Sequence, residues 1–155
     1  MPSFETVALG AKILSSLLSI AASIKKFIQN GEAKDFDDAV EKYKSIATPE
    51  TLALLNEEDN ISSIHGLVNT IISPAVLDQL SEEAYTCEEV YIKNRRDAER
   101  NTSKLKGAEI KVKRCVCSTL LTLMKHNGGE LPDAHDPDKD RLRKLFESHE
   151  CDLHI

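Results

Sequence analysis

The 155-residue chain contains no tryptophan, and aromatic residues make up only 5% of it. Its 6 glycines, 5 prolines and 4 cysteines are too few for a collagen-like chain, a Pro/Gly-rich disordered chain or a dense disulfide scaffold. Scarce aromatics also disfavour a β-rich fold, since these residues are enriched in strands. Hydrophobic residues make up 41% of the chain and charged residues 30%, and helix formers predominate. This composition predicts one helical domain over residues 1–155.

The chain also lacks an apolar run long enough to cross a bilayer. The run from Ile13 to Ile24 is too short and too rich in serine, and Glu5 lies where a signal peptide would be basic. The four cysteines are sparse for this length, so we expect free thiols and a reducing compartment. These observations predict a cytoplasmic protein.

Residues 4–30 predict one helix whose apolar arc covers roughly 220°, about twice what a surface helix needs. Such an arc is buried either by neighbouring helices on several sides or by a partner. The first alternative buries Leu14, Leu17, Leu18 and Ile24 within one chain. The second, which we favour at this stage, leaves one edge of the helix as a partner-binding surface made of Leu9, Ile13, Ile20 and Phe27.

Helix start signals divide the next part of the chain. Asp35 is a predicted N-cap, Thr48-Pro49 and Ser73-Pro74 are cap-then-proline starts, and Asn60 is a predicted cap for the helix between them. A last helix is predicted after Asp136-Pro137. The pattern predicts an all-α bundle of five to seven helices with a central N-terminal helix.

From Leu77 to Cys115 the apolar and small positions alternate in steps of three and four, as in a helical seam. One continuous helix over residues 74–126 and two helices with a bend near Asn101 both fit, and the polar character of residues 95–106 favours two. A strand over 110–117 is a local alternative, because Ile110, Val112 and Val116 also fit a period of two.

Charge is distributed unevenly along the chain. Residues 31–90 contain 3 basic and 14 acidic residues (net −11), whereas residues 91–126 contain 10 basic and 3 acidic residues (net +7). We expect the basic stretch from Lys93 to Arg114 to complement the acidic stretch from Glu32 to Glu89 within the fold. Nucleic acid is an unlikely partner, since the whole chain carries a charge of −6.

The residues that bind soft metals do not form a zinc motif. Cys115 and Cys117, with His149, Cys151 and His154, are zinc-type ligands, but two residues at i and i+2 on a helix point about 200° apart. At most one of the two cysteines then faces a shared metal. No Walker loop, G-x-S-x-G or H-E-x-x-H is present. We therefore predict no metal and no cofactor.

Arg143 and His149 are separated by five residues, which resembles the R-x(4-6)-H signature of the HEPN ribonucleases. The resemblance covers seven residues and implies an acid–base role for His149 and phosphate stabilisation by Arg143. A chain with 6 Arg and 5 His is expected to show about 0.6 such matches by chance. The sequence therefore favours a non-catalytic protein–protein interaction module that binds a partner or self-associates, over a metal-independent ribonuclease or a membrane-active helical domain.

Overall fold

The computed structural model describes residues 4–98, 102–132 and 140–154. Within them the chain forms seven α-helices, no strand and a closing 3₁₀ turn. The helices are α1 (Phe4–Gln29), α2 (Phe36–Lys44), α3 (Pro49–Leu55), α4 (Glu58–Val68), α5 (Pro74–Ala98), α6 (Thr102–His126) and α7 (Arg141–Ser148), followed by the 3₁₀ turn Cys151–His154. The protein is an all-α helical bundle, as the composition and periodicity predict.

Helix α1 is the central element of the bundle. It contacts α2, α4, α5, α6 and α7, and its most extensive packing is against α5. The side chains of Leu14, Leu17, Leu18 and Ile24 are fully buried. The first of the two outcomes for the apolar arc is therefore the one observed: the chain's own helices surround α1.

Most predicted helix starts are confirmed. The Asp35 carboxylate accepts a hydrogen bond from the Asp38 backbone N–H at 2.9 Å, and the Thr48 hydroxyl caps α3, in which Pro49 is the first residue. At the start of α5 the Ser73 hydroxyl accepts from the Val76 N–H at 3.3 Å. These local signals fix where α2, α3 and α5 begin.

Three local predictions need correction or lie outside the described residues. Asn60 is not an N-cap: α4 already begins at Glu58, and Asn60 is buried, its amide donating to the Leu54 carbonyl at 2.9 Å. The strand alternative over 110–117 is wrong, because α6 is helical throughout. The start predicted at Asp136-Pro137 lies outside the described residues, and α7 begins at Arg141 with Asp140 as its N-cap.

Residues 74–126 form two helices that pack against each other. Helix α5 ends at Ala98 and α6 begins at Thr102, so the two-helix alternative is confirmed. The predicted bend at Asn101 falls among residues 99–101, outside the described part. Seam residues of both helices lie in the common core, namely Leu77, Leu80, Ala84, Ala108 and Val112.

A buried lysine fastens α1 to the segment between α4 and α5. The Lys25 ammonium group donates hydrogen bonds to the backbone carbonyl oxygens of Thr70 and Ile72, the second at 2.5 Å. Burial lowers the pKa of Lys25 below its ordinary value of 10.5. These two carbonyls belong to the segment between α4 and α5, so the lysine supplies a donor to backbone acceptors that lie outside both helices.

All four cysteines are paired. Cys87 in α5 is joined to Cys115 in α6, and Cys117 in α6 is joined to Cys151 in the 3₁₀ turn. The expectation of free thiols is therefore wrong. The predicted divergence of Cys115 and Cys117 does hold, since the two bond to partners on two different elements, as their directions on a helix require.

The C-terminal segment is also tied to α4. Ser63, buried in α4, donates to the Asp140 carboxylate at 3.0 Å and accepts from the Arg141 backbone N–H at 2.8 Å. At the other end of α7, the His149 ring lies against Gly10 of α1, where an added Cβ would overlap the imidazole. A larger residue at position 10 would therefore displace the buried His149 ring from its place against α1.

We predict that each disulfide stabilises the fold by about 3–4 kcal/mol, because it closes a loop of roughly 30 residues in the unfolded chain. The measurement is denaturant unfolding of the double variants Cys87→Ser/Cys115→Ser and Cys117→Ser/Cys151→Ser. Thiol titration of the denatured, unreduced wild-type protein should find no reactive thiol. Four reactive thiols would contradict the pairing.

Replacing Lys25 by Met should destabilise the fold by about 1–3 kcal/mol, since two carbonyl groups lose their donor. The difference in stability between the wild type and Lys25→Met should also depend on pH. Between the lowered pKa of Lys25 in the fold and 10.5, the unfolded chain binds more protons, so wild-type stability rises with pH through this window. Methionine does not titrate, so the stability difference should widen from neutral to alkaline pH. A pH-independent difference argues against the lowered pKa.

Candidate functional site

An open groove lies where three short helices meet. Helix α2 begins, α3 ends and α4 begins around it, and its volume is ≈ 660 Å³. We call it the acidic groove. Its lining residues are Asp35, Phe36, Asp37, Leu55, Asn56, Glu57, Glu58, Ile61, Ser62 and His65.

The floor of the acidic groove is apolar. Leu55 is buried, and Phe36 and Ile61 are half-buried and pack against the core. The His65 ring meets the Phe36 ring edge-on, with centroids 4.8 Å apart and an angle of 89° between the planes. The Asn69 amide lies 3.2 Å from His65 Nδ1. These contacts hold the aromatic pair in place as a preformed surface for an apolar side chain.

The rim of the acidic groove carries carboxylates from two sides. Asp35 and Asp37 lie at the start of α2, and Glu57 and Glu58 lie at the start of α4. Arg141 donates to Glu57 at 2.7 Å and so neutralises part of this charge, whereas the Asp35 carboxylate accepts from a backbone N–H. The rim therefore stays negative around an apolar floor, which suits a ligand that combines a cation with an apolar group.

The partner-binding edge predicted on α1 is covered unevenly. Leu9 is 55% exposed, Ile13 and Phe27 are half-buried against the core, and Ile20 is only 1% exposed. The expectation that the edge stays uncovered is therefore wrong at Ile20. Helix α2 contributes to covering this edge, since the Lys42 ammonium lies 5.0 Å from the centroid of the Phe27 ring. Helix α5 contacts α1 on another side, at Ser15 and Lys26.

Arg143 and His149 do not share an open surface. Arg143 is exposed, whereas His149 is 2% exposed and its Nδ1 lies 2.8 Å from the Leu145 carbonyl oxygen. A buried imidazole has no access to an RNA phosphate in this conformation. The ribonuclease hypothesis stays a prediction that this geometry does not favour.

The remaining sequence candidates concern metals and membranes. Within the described ranges, no group of three or more His, Cys, Asp or Glu residues is arranged to hold a metal ion. None of the helices in these ranges has both the length and the apolar character that a bilayer crossing requires.

The acidic and basic stretches do not pair as expected in the described part of the chain. Lys113 pairs with Glu150 at 3.3 Å, and Asp59 of the acidic stretch pairs with Lys144 at 2.5 Å. The partners of both come from the C-terminal segment, because α7 and the residues that follow it pack beside α4 and α6. The side chains of residues 91–105 lie outside the description.

No motif in the sequence predicts the acidic groove. The signal available was the pair of closely spaced start sites at Asp35 and Thr48, which predicts that short helices end near one another within an acidic stretch. That signal gives the composition of the site but not its concave shape.

Comparison with known proteins gives no assignment: no family model, no curated protein and no solved structure matches this chain.

Substituting Ile20 by Glu should unfold the protein, because a buried carboxylate without a partner costs more than about 3 kcal/mol. The matched variant is Leu9→Glu on the same helix, which should keep the fold since Leu9 is largely exposed. Circular dichroism and thermal unfolding distinguish the two. An Ile20→Glu protein as stable as the wild type would show that this edge is open.

Proposed function

We propose that this chain is a non-catalytic binding module that recognises a segment of a protein partner in the acidic groove. The observation that carries the proposal is the combination of an apolar floor, made by Phe36, Leu55 and Ile61, with a carboxylate rim from α2 and α4. Peptide recognition by helical proteins commonly uses an apolar groove for affinity and rim charges for orientation.

The size of the acidic groove supports a side-chain cluster as its ligand. A volume of ≈ 660 Å³ accommodates a few side chains of a docking segment, and the open shape allows the rest of that segment to remain outside. The half-buried aromatic pair of Phe36 and His65 supplies the kind of anchoring contact on which interface affinity often depends.

The compartment belongs to the same proposal. The prediction of a cytoplasmic location depended in part on free cysteines, and the two disulfides remove that part of its basis. Since structural disulfides persist mainly in oxidising compartments, we extend the proposal to a partner encountered in such a compartment.

A photo-crosslinking amino acid at Ser62, which lines the acidic groove, tests the proposal against the same amino acid at Thr86, exposed on α5. The expected result is a crosslinked partner at position 62 alone, identified by mass spectrometry and then purified for affinity measurements. Filling the groove by Ser62→Trp should weaken that affinity at least about tenfold, while Thr86→Trp leaves it unchanged. Equal crosslinking at both positions, or an unchanged affinity of Ser62→Trp, would overturn the proposal.

A further inference from the structure

Helix α6 presents a basic face to solvent. Lys106, Lys111, Arg114 and Lys125 are exposed, Ile110 is 44% exposed and Leu121 is half-buried. Their spacing on the helix brings all six within one broad face. We call it the α6 outer face, and its residues are Lys106, Ile110, Lys111, Arg114, Leu121 and Lys125.

The fold does not neutralise the cations of the α6 outer face. Across residues 4–98, 102–132 and 140–154, none of the four forms an ion pair, whereas the neighbouring Lys113 points inward and pairs with Glu150. On the acidic groove, Asp35 is bonded to a backbone N–H and Asp37 is exposed. One molecule therefore carries two surfaces of opposite charge, each with apolar side chains at its centre.

We propose that a second copy of this chain occupies the acidic groove, and that the α6 outer face of one copy docks between α2, α3 and α4 of the next. This inference depends on the proposed function, because it names the partner of the same groove. The two surfaces match in charge sign, and both place apolar groups between the charges, which is the pattern of a specific interface.

The arrangement around Ile110 makes the match specific. Lys106 and Arg114 lie four residues before and after Ile110, about 6 Å along the helix, and Lys111 is the next residue in the chain. When Ile110 enters the apolar floor, these cations reach the rim at the level of Asp37. An apolar side chain with three cations near it, and Glu109 on its remaining side, thus meets an apolar floor whose rim carries carboxylates.

The contact joins two different surfaces of the molecule, so it is of the head-to-tail type. Such contacts produce a closed ring when the rotation from one copy to the next brings the last copy back to the first, and an open linear chain when it does not. The association should weaken as salt rises, because exposed charges further apart than about 8 Å are screened at physiological ionic strength.

Sedimentation velocity of the full chain tests the inference. The expected mass rises with protein concentration at low salt and returns to a single chain at high salt. Asp37→Lys in the acidic groove and Arg114→Glu on the α6 outer face should each weaken association at least about tenfold. Mixing these two variants should restore a two-chain species, because the intact groove of one meets the intact α6 outer face of the other.

Two charge reversals at positions outside both surfaces serve as controls. Glu50→Lys changes a first-turn carboxylate of α3, as Asp37→Lys does in α2, and Lys12→Glu changes an exposed cation of α1. Both should associate like the wild type. If the controls weaken association equally, or if the mixture of Asp37→Lys and Arg114→Glu stays monomeric, the inference is overturned.

The experiments distinguish a failure of the self-docking inference from a failure of the proposed function. With the photo-crosslinker at Ser62, self-docking predicts a crosslink to a peptide of α6 from a second copy. A chain that stays monomeric at every concentration, while Ser62 crosslinks a different protein, overturns the second copy as partner and leaves the groove as a binding site. A monomeric chain without any crosslink at Ser62 overturns both.

Discussion

Because α1 is apolar around most of its circumference, it has to be covered from several sides, and the placement of the later helices follows from that requirement. The long α5 lies along it, while the shorter α2, α4 and α7 cover the rest with α6. Helices of 7 to 11 residues end before a 26-residue helix does, so their ends meet over its surface. The acidic groove lies at such a meeting of ends, which makes it a consequence of how α1 is buried.

The C-terminal segment depends on specific bonds more than on apolar area. Helix α7 has only eight residues, and the buried side chains it contributes are Leu142 and Leu145. The Ser63–Asp140 hydrogen bond fastens its start, and the Cys117–Cys151 disulfide fastens the turn after its end. Arg141 extends this attachment to the rim of the acidic groove through Glu57. The groove's charge is thereby coupled to the position of the C-terminal segment.

The sequence predicts those parts of the fold that local chemistry determines. The helical class, the capped starts at Asp35 and Thr48 and the central position of α1 follow from periodicity and capping. The burial of Ile20 does not, because it depends on how long the neighbouring helices extend in space. The cysteine pairs were missed for a similar reason: the i and i+2 positions show that two thiols diverge, but only the packing of α5 and the C-terminal turn supplies a partner for each.

The role of the uneven charge distribution along this chain depends on that packing. If the acidic and basic stretches stabilised the fold, their side chains would face each other across the core, yet Arg114 and Asp37 are both exposed. Some charges of both stretches do bond within the fold, but their partners lie in the C-terminal segment: Asp59 pairs with Lys144, and Lys113 pairs with Glu150. Exposed charges of one sign contribute little to folding, but they raise association rates and discriminate between partners. Under the proposed self-docking, Arg114 and Asp37 would therefore contribute to recognition between copies of the chain more than to folding.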